Sequence, residues 1–141
     1  MVRPPAVGAV DVPLRVERRA WGPEQATGPP DTMIAGDQPT AWAPLQQDAG
    51  AEWLRVEFGK TVEVAEVRIR ETLNPGAIQK VIAVDGGVER PLWEGLEEIR
   101  LAPCEFVVTA KEEIRARSIV VHLDTSRIPG WNEIDAVGIV P

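Results

Sequence analysis

Few residues in this sequence could carry out covalent chemistry. It contains one histidine, His122, and two serines, Ser118 and Ser126. A serine nucleophile needs a base within hydrogen-bonding reach, but His122 and Ser118 are four residues apart in a predicted strand, about 13 Å at the strand rise. The single cysteine, Cys104, has no evident activating base, and no cluster of His and Cys indicates zinc. We therefore expect no catalytic residues and no enzyme.

A second group of polar residues is suited to binding rather than to reaction. Arg70 and Glu71 end a predicted strand, Asn74 lies in the turn that follows, and Trp131 and Asn132 lie together in a later loop. Their donors and acceptors are of the kind that grip the hydroxyl groups or the carboxylate of a ligand. We predict a shallow polar ligand site from these five residues. The alternative is local: an Arg70–Glu71 ion pair, and an Asn74 that stabilises its own turn.

The aromatic content is unusual, with five tryptophans, two phenylalanines and no tyrosine. Trp42 and Trp53 flank predicted core strands and are expected inside, and Trp93 is expected to be half buried. Trp21 and Trp131 fall in loops rich in Gly and Pro, where an indole can offer its face to a sugar and keep its N–H as a donor. Trp21 therefore joins the predicted ligand site. For both loop tryptophans, a ring that plugs the end of the fold is the alternative.

The hydrophobic pattern predicts a scaffold of strands for these residues. The stretch 51–72 holds two alternating runs around Gly59-Lys60, with the apolar side formed by Leu54, Val56, Phe58, Val67 and Ile69. A period of two with charged residues on the opposite side is typical of an antiparallel sheet with one face in a core.

Further short strands are predicted along the rest of the chain. They cover 10–16, 78–84, 90–93, 118–123 and 133–140, with one or two more between 99 and 108. The segment 21–42 has no sustained period and is predicted to be a long ordered loop with one helical turn at 23–26. About eight strands and almost no helix predict an all-β fold, an antiparallel β-sandwich. Residues 1–9 are predicted to be a flexible N-terminal segment, and 10–141 a single domain.

Size and charge narrow the function classes. A chain of 141 residues suits one domain with a real core. The 22 acidic and 15 basic residues give a net charge of −7, which argues against nucleic-acid binding, because phosphates require a basic surface. No apolar run is long enough for a membrane span, and the N-terminus lacks the apolar part of a signal peptide. The expected location is extracellular or cell-surface for a domain of a secreted protein, and cytoplasmic for a full-length chain.

The order of five segments carries a resemblance to a known superfamily. Gln-Ala-Thr-Gly-Pro-Pro-Asp-Thr leads to Gly-Asp-Gln-Pro-Thr-Ala-Trp and Glu-Trp-Leu-Arg-Val-Glu-Phe, and then come Val-Arg-Ile-Arg-Glu-Thr-Leu-Asn-Pro-Gly-Ala and Pro-Gly-Trp-Asn-Glu-Ile-Asp-Ala-Val. Over about residues 10–140 the sequence resembles the galactose-binding-like superfamily, which includes discoidin (coagulation factor 5/8 C-type) domains and related carbohydrate-binding modules. The resemblance implies an eight-stranded antiparallel β-sandwich with jelly-roll topology, and ligand binding by loops at one end without catalysis.

The resemblance also implies a metal site. Many members hold a structural calcium ion between an early loop and the start of the last strand, and the matching positions here are Asp37, Thr40 and Glu133. Calcium takes about six to eight oxygen ligands from carboxylates, hydroxyls and backbone carbonyls. The alternative is that Asp37 caps a turn and Glu133 pairs with an arginine.

Two functions are compatible with these observations. The first is a non-catalytic module that binds a carbohydrate (glycan) through loops at one end of the sandwich, as part of a larger protein or assembly. The second is a protein-interaction or assembly module that docks a partner protein. Trp21 and Trp131 exposed on one platform would favour the glycan, whereas a large apolar patch on a sheet face would favour the protein.

Overall fold

The fold is described by a computed structural model that covers residues 18–141. The predicted strand at 10–16 and the predicted flexible segment at 1–9 lie outside the described residues. Within residues 18–141 there are one short 3₁₀ helix, Pro23–Ala26, and seven strands. The strands are β1 (Ala51–Glu63), β2 (Glu66–Leu73), β3 (Ile78–Asp85), β4 (Val88–Glu94), β5 (Cys104–Thr109), β6 (Arg115–Asp124) and β7 (Glu133–Val140).

The seven strands form two antiparallel sheets. One has the order β1-β6-β3-β4 and the other the order β5-β2-β7. The chain changes sheet at every connection except the β3–β4 hairpin, so each layer is built from strands distant in sequence. This arrangement confirms the predicted all-β sandwich, with seven of the eight expected strands seen in the described residues.

The core lies between the two sheets, where the predicted alternation places it. The inward side chains of β1 and β2 are buried, and they pack with those of β3, β6 and β7. The predicted set of Leu54, Val56, Phe58, Val67 and Ile69 is confirmed as buried. Burial of this apolar surface stabilises the fold by about 25 cal/mol per Å² removed from water.

The two runs of the stretch 51–72 belong to different sheets and face the same core from opposite sides. β1 continues through Gly59, which has a φ of 74°, and its register with β6 shifts between Glu57 and Val62. The turn into β2 comes at residues 64–65. The alternation therefore identified the buried face, whereas the glycine marked an irregularity within a strand rather than a strand end.

The segment 95–103 has no strand among its residues, and β5 begins at Cys104. Ile99 and Leu101 are exposed there, so the region between 99 and 108 holds one strand rather than two. This segment is tied down by Glu97, whose carboxylate accepts the backbone N–H groups of Gly76 and Ile78, both at 3.0 Å.

The long loop before β1 is ordered by its contacts with β7. Asp135 is fully buried, and its Oδ2 accepts the backbone N–H groups of Asp31 and Thr32, both at 3.0 Å. Its Oδ1 accepts the Thr32 hydroxyl at 2.6 Å. Trp42 and Ile134 exchange backbone hydrogen bonds at 2.7 and 2.9 Å. These contacts satisfy backbone groups that would otherwise be buried without partners. Residues 18–141 contain no helix of the length and hydropathy that a membrane span requires.

Candidate functional site

An open groove of about 740 Å³ lies beside the first residues of β1. Four tryptophans line it: the buried Trp42, and three others, which are Trp21 from the long loop, Trp53 from β1 and Trp131 from the loop before β7. Trp53 and Trp21 are 55% and 39% exposed, so two large apolar rings face solvent in one concave place. An indole face of this kind binds apolar ligand surface while its N–H remains a hydrogen-bond donor.

The expectation that Trp53 packs inside is wrong. Leu54 takes the buried side of β1, and Trp53 therefore lies with Arg55 on the outer side, opposite His122 of β6. The alternation that places Leu54 in the core requires this outcome, whereas the expectation for Trp53 rests on its position flanking a core strand. Trp42 is buried, as expected, and Trp93 is half buried against Phe106, with ring centroids 4.8 Å apart.

Trp21 is held in an uncommon backbone conformation. Its φ is 57°, in the left-handed region that bulky residues rarely adopt. Its backbone N–H donates to Pro39 O and its carbonyl accepts from Ala43 N, each at 3.0 Å. Its indole Nε1 donates to Asp37 Oδ1 at 2.8 Å. All three hydrogen bonds go to the segment 37–43, which therefore fixes the position of this ring.

Trp131 is positioned by a pair of amide side chains. Asn74 Nδ2 donates to Trp131 O at 2.7 Å, and Asn132 Nδ2 donates to Asn74 O at 2.8 Å. Asn132 is buried. The adjacent Gly130 has a φ of 96°, and its N–H donates to Asp48 Oδ1 at 3.0 Å. Asn74 and Asn132 thus use their amide donors to hold the loop that presents Trp131.

Two guanidinium groups lie in the groove, each beside a carboxylate. Arg19 Nε donates to Glu24 Oε1 at 2.8 Å, and its Nη2 donates to the same oxygen. Glu24 is buried, so it is a fixed anchor for this arginine. Arg55 Nη2 donates to Ser118 Oγ at 3.1 Å and lies 3.6 Å from Glu57 Oε1. The groove therefore presents oriented N–H donors whose positive charge is locally balanced.

The six residues of the predicted ligand site do not meet at one place. Trp21 and Trp131 line the groove, and Asn74 and Asn132 support Trp131 from behind. Arg70 and Glu71 lie within β2 and do not contribute to the lining. Among the described residues no ion pair joins Arg70 to Glu71. Glu71 lies on the core-facing side of β2. Arg70, like Arg68, lies on the opposite, outer side. A contact of Arg70 or Glu71 with a ligand stays a prediction.

Glu71 belongs to a buried acidic pair. It lies beside the buried Glu97, and Cys104 Sγ is 3.7 Å from Glu71 Oε2. Burial, then a hydrogen bond and charge repulsion from Glu97, raise the pKa of Glu71 to about 10. Burial, with the two carboxyl groups adding to it, raises the pKa of the Cys104 thiol to about 12. A thiol with that pKa is a poor nucleophile at neutral pH.

Two of the three predicted calcium ligands lie together at the base of the long loop. Glu133 is 1% exposed, and its Oε1 accepts the Gln38 N–H at 3.0 Å. Its Oε2 is buried without a hydrogen-bond partner. Burial raises the pKa of Glu133 to about 8, the Gln38 N–H opposes that shift, and the neighbouring Asp37 carboxyl adds to it. A cation between the two carboxylates would satisfy the orphan oxygen and remove their repulsion.

The remaining ligands of such an ion would be neutral oxygens. Thr40 Oγ1 lies 2.8 Å from the Thr32 hydroxyl, which donates to Asp135. No group of three or more His, Cys, Asp and Glu placed to hold a metal occurs in residues 18–141. Calcium accepts hydroxyl and carbonyl oxygens besides carboxylates, so the residues present fit this ion. The alternative of an arginine partner for Glu133 is not seen within the described part of the chain.

Sequence reasoning missed Trp53 and Asp135. A signal was present for both: Trp53 occupies the polar side of an alternating strand, and Asp135 interrupts an apolar run in the last strand. An exposed aromatic ring and a buried carboxylate at such positions indicate a binding surface and a loop anchor.

No protein-family model matches the sequence, and no curated protein matches it. Several solved structures are similar to this chain. The family 32 carbohydrate-binding module (CBM) of C. perfringens NanJ, in complex with galactose, has a TM-score of 0.61 and 24% identity, covering 84% of this chain and 83% of that one. The CBM32 of AlyQ, in complex with 4,5-unsaturated mannuronic acid, has a TM-score of 0.55 and 17% identity, covering 85% and 86%. A fucolectin from striped bass (Morone saxatilis) serum has a TM-score of 0.52 and 14% identity, covering 72% and 36%. The chain therefore shares the β-sandwich fold of these carbohydrate-binding proteins.

Proposed function

We propose that this galactose-binding-like domain is a non-catalytic module that binds glycans in the groove lined by Trp21, Trp53 and Trp131. The observation that carries the proposal is the convergence of Trp21, Trp53 and Trp131 on one solvent-facing groove, although they lie more than 30 positions apart in the sequence. Large exposed apolar side chains gathered in one concavity mark binding sites rather than structural packing. The apolar C–H face of a sugar ring is complementary to an indole face.

The fold is consistent with this proposal. The carbohydrate-binding module of NanJ was solved with galactose, and that of AlyQ with an unsaturated mannuronic acid. Both are binding modules, and this chain covers more than four fifths of each. Fold alone does not fix a ligand, so the groove of this chain has to supply the specific contacts.

The charge of the groove favours a neutral glycan over an acidic one. Arg19 is balanced by the buried Glu24, and Arg55 lies beside Glu57. Asp37 and Glu52 also line the groove, and the chain carries a net charge of −7. An acidic sugar would gain little from arginines that already have carboxylate partners, whereas neutral hydroxyl groups can accept the remaining guanidinium N–H donors.

A calcium ion held by Asp37, Thr40 and Glu133 forms part of the proposal. When bound, it would neutralise the two carboxylates and link the long loop to the start of β7. Support comes from the buried, unpartnered Glu133 Oε2 and the adjacent Asp37 carboxyl. We expect a higher melting temperature with calcium than with EGTA, because an ion that binds the folded state stabilises it. Equal melting temperatures would rule the ion out.

The glycan proposal is tested by removing one exposed indole. Trp53→Ala is chosen because this ring is largely exposed and its loss leaves the core intact. We expect binding to the best neutral glycan on a printed array to weaken about tenfold, or about 1.4 kcal/mol, because a stacking surface is lost. Val88→Ala is the matched control, since Val88 is 57% exposed on β4 at the opposite edge of the same sheet. Equal affinities for the wild-type protein and Trp53→Ala would contradict the proposal.

The protein-interaction function has a different surface in its favour. Leu96, Ile99 and Leu101 are all exposed in the loop 95–103, with Leu101 92% accessible. Exposed aliphatic side chains, when they gather on a surface, are typical of protein contacts. Under this alternative, Leu101→Ser would abolish partner capture and Trp53→Ala would not, which is the reverse of the outcome expected for glycan binding.

A further inference from the structure

Trp21 and the predicted calcium site share one residue, Asp37. The Asp37 Oδ1 accepts the Trp21 indole N–H at 2.8 Å. The same carboxyl neighbours that of Glu133, which accepts the N–H of the adjacent Gln38 at 3.0 Å and whose second oxygen is buried without a partner. A groove residue and an ion-site residue are therefore joined through a single carboxylate.

The backbone makes the same connection. Gln38 N–H donates to Glu133 Oε1, and Trp42 pairs with Ile134, so both ends of the segment 38–42 are attached to the start of β7. The carbonyl of Pro39 and the N–H of Ala43 hold the backbone of Trp21. This segment has exposed residues at 39 and 40, between its two attachments. An ion held by Asp37 and Glu133 would add a third attachment, at residue 37 directly before this segment.

The conformation of Trp21 makes it sensitive to this attachment. A φ of 57° is unfavourable for a bulky side chain and persists where the surroundings over-determine it. Here the determining contacts are the hydrogen bonds to Asp37, Pro39 and Ala43. If the segment that supplies them loosens, the indole can leave its place in the groove.

We propose that Asp37 is a positioning residue shared by the two sites, so that an ion held by Asp37, Thr40 and Glu133 and a glycan bound in the groove strengthen each other's binding. This inference rests on the proposed glycan function. Linkage requires that the ion raise glycan affinity by the same factor as the glycan raises ion affinity. We expect about fivefold, the lower end of such couplings, because one hydrogen bond and one ring are involved.

The first experiment uses Ca²⁺ without glycan and measures whether the ion changes the solvent exposure of Trp21. Tryptophan emission and its quenching by acrylamide are measured during a calcium titration of the wild-type protein, Trp21→Phe and Trp93→Phe. Trp21→Phe keeps an aromatic ring but removes the Nε1–H donor to Asp37, whereas Trp93 packs on Phe106, away from the groove. The calcium-dependent change is expected in the wild-type protein and in Trp93→Phe, and is expected to be absent in Trp21→Phe. A change that persists in Trp21→Phe would overturn the inference.

The second experiment measures the linkage. Binding to the neutral oligosaccharides of a printed array is compared with calcium in excess and with EGTA, and calcium binding is measured by calorimetry. The wild-type signal is expected to fall about fivefold in EGTA. Trp21→Phe should still bind calcium but respond equally in both conditions, because its ion site is intact and its link to Asp37 is not.

The possible failures separate the two proposals. Glycan binding that is equal with calcium and with EGTA overturns the linkage and leaves the glycan function standing. Absence of calcium binding by calorimetry does the same. Absence of any glycan signal in either condition overturns the proposed function itself, and the linkage with it, even if calcium alters the emission of Trp21.

Discussion

Replacing Glu71 with glutamine tests whether the Glu71 carboxyl keeps its proton inside the folded sandwich. In the folded chain, burial and the adjacent Glu97 raise the pKa of Glu71 to about 10, so its carboxyl is neutral at physiological pH. Glutamine has nearly the same shape and is neutral at every pH. The substitution therefore keeps the packing and a donor toward Glu97 while it removes the titration.

The magnitude follows from proton linkage. In the unfolded chain Glu71 ionises at its ordinary pKa of 4.5, whereas in the folded chain it ionises at about 10. The folded state holds one extra proton between these values, so this contribution to stability is complete below the lower pKa and is lost as the pH rises toward the upper one. The slope is about 1.4 kcal/mol per pH unit, which amounts to about 3 kcal/mol between about pH 6 and about pH 8.

Urea unfolding across that pH range, followed by circular dichroism, measures the effect. The free energy of unfolding of the wild-type protein should decline more steeply with pH than that of Glu71→Gln, with the difference between them growing by about 3 kcal/mol over this range. Glu94→Gln is the control, because Glu94 is a solvent-exposed carboxylate on β4. Titration of Glu133 contributes equally to all three proteins and cancels in the difference.

Parallel pH profiles for the wild-type protein and Glu71→Gln would refute the reasoning, because they would mean that Glu71 ionises alike in both states. If the free energy of unfolding fell steeply with pH in Glu71→Gln but not in Glu94→Gln, a carboxyl other than Glu71 would hold the extra proton. The range ends well below the pKa of about 12 to which burial raises the Cys104 thiol, so the folded thiol stays neutral throughout.

Three further outcomes are expected. Asp135→Ala should lower the free energy of unfolding by about 3 kcal/mol in urea titrations, because three donors of the long loop lose a buried acceptor; a change under about 1 kcal/mol would contradict this. Gly130→Ala should weaken glycan binding and lower the free energy of unfolding by at least about 1 kcal/mol, because the φ of Gly130 is 96° and a Cβ would lie 2.8 Å from Asn74 Nδ2. Unchanged glycan affinity would show that other contacts position Trp131. Cys104 should react with iodoacetamide near pH 8 about a thousandfold more slowly than in the urea-unfolded chain, because burial raises the pKa of its thiol from 9.0 to about 12; comparable rates would exclude that shift.

The strands could be predicted because their signal is local. Alternation at Leu54, Val56 and Phe58 reports burial on one face without any knowledge of the partner strand. The same local signal could not show that β1 and β2 belong to different sheets, because sheet membership depends on pairing with β6, β5 and β7. The pattern therefore identified the core, and the structure was needed for the layers.

The groove could be predicted only in part. Trp21 and Trp131 stood out because each lies in a loop rich in Gly and Pro, and both line it. Trp53 flanks a core strand, which predicts burial, but the alternation of β1 places it on the outer side, next to the inward Leu54. Nearness to the turn at Asn74 predicts that Arg70 and Glu71 lie with Trp131, yet the two residues lie within β2 on its two sides. Which loops meet at one end is decided by long-range pairing, which no single segment records.

The carboxylates of β7 also constrain when the groove can form during synthesis. Glu133 and Asp135 hold residues that lie 95 to 104 positions earlier in the chain. Contacts between residues so far apart slow folding, because the entropy of closing a long loop is lost before the contacts form and stabilise it. On the ribosome, the segment that carries Trp21 emerges long before its anchors in β7. Trp21 therefore reaches its final position only after β7 has been synthesised. A fragment that ends before β7 would contain all five tryptophans but would not form the groove.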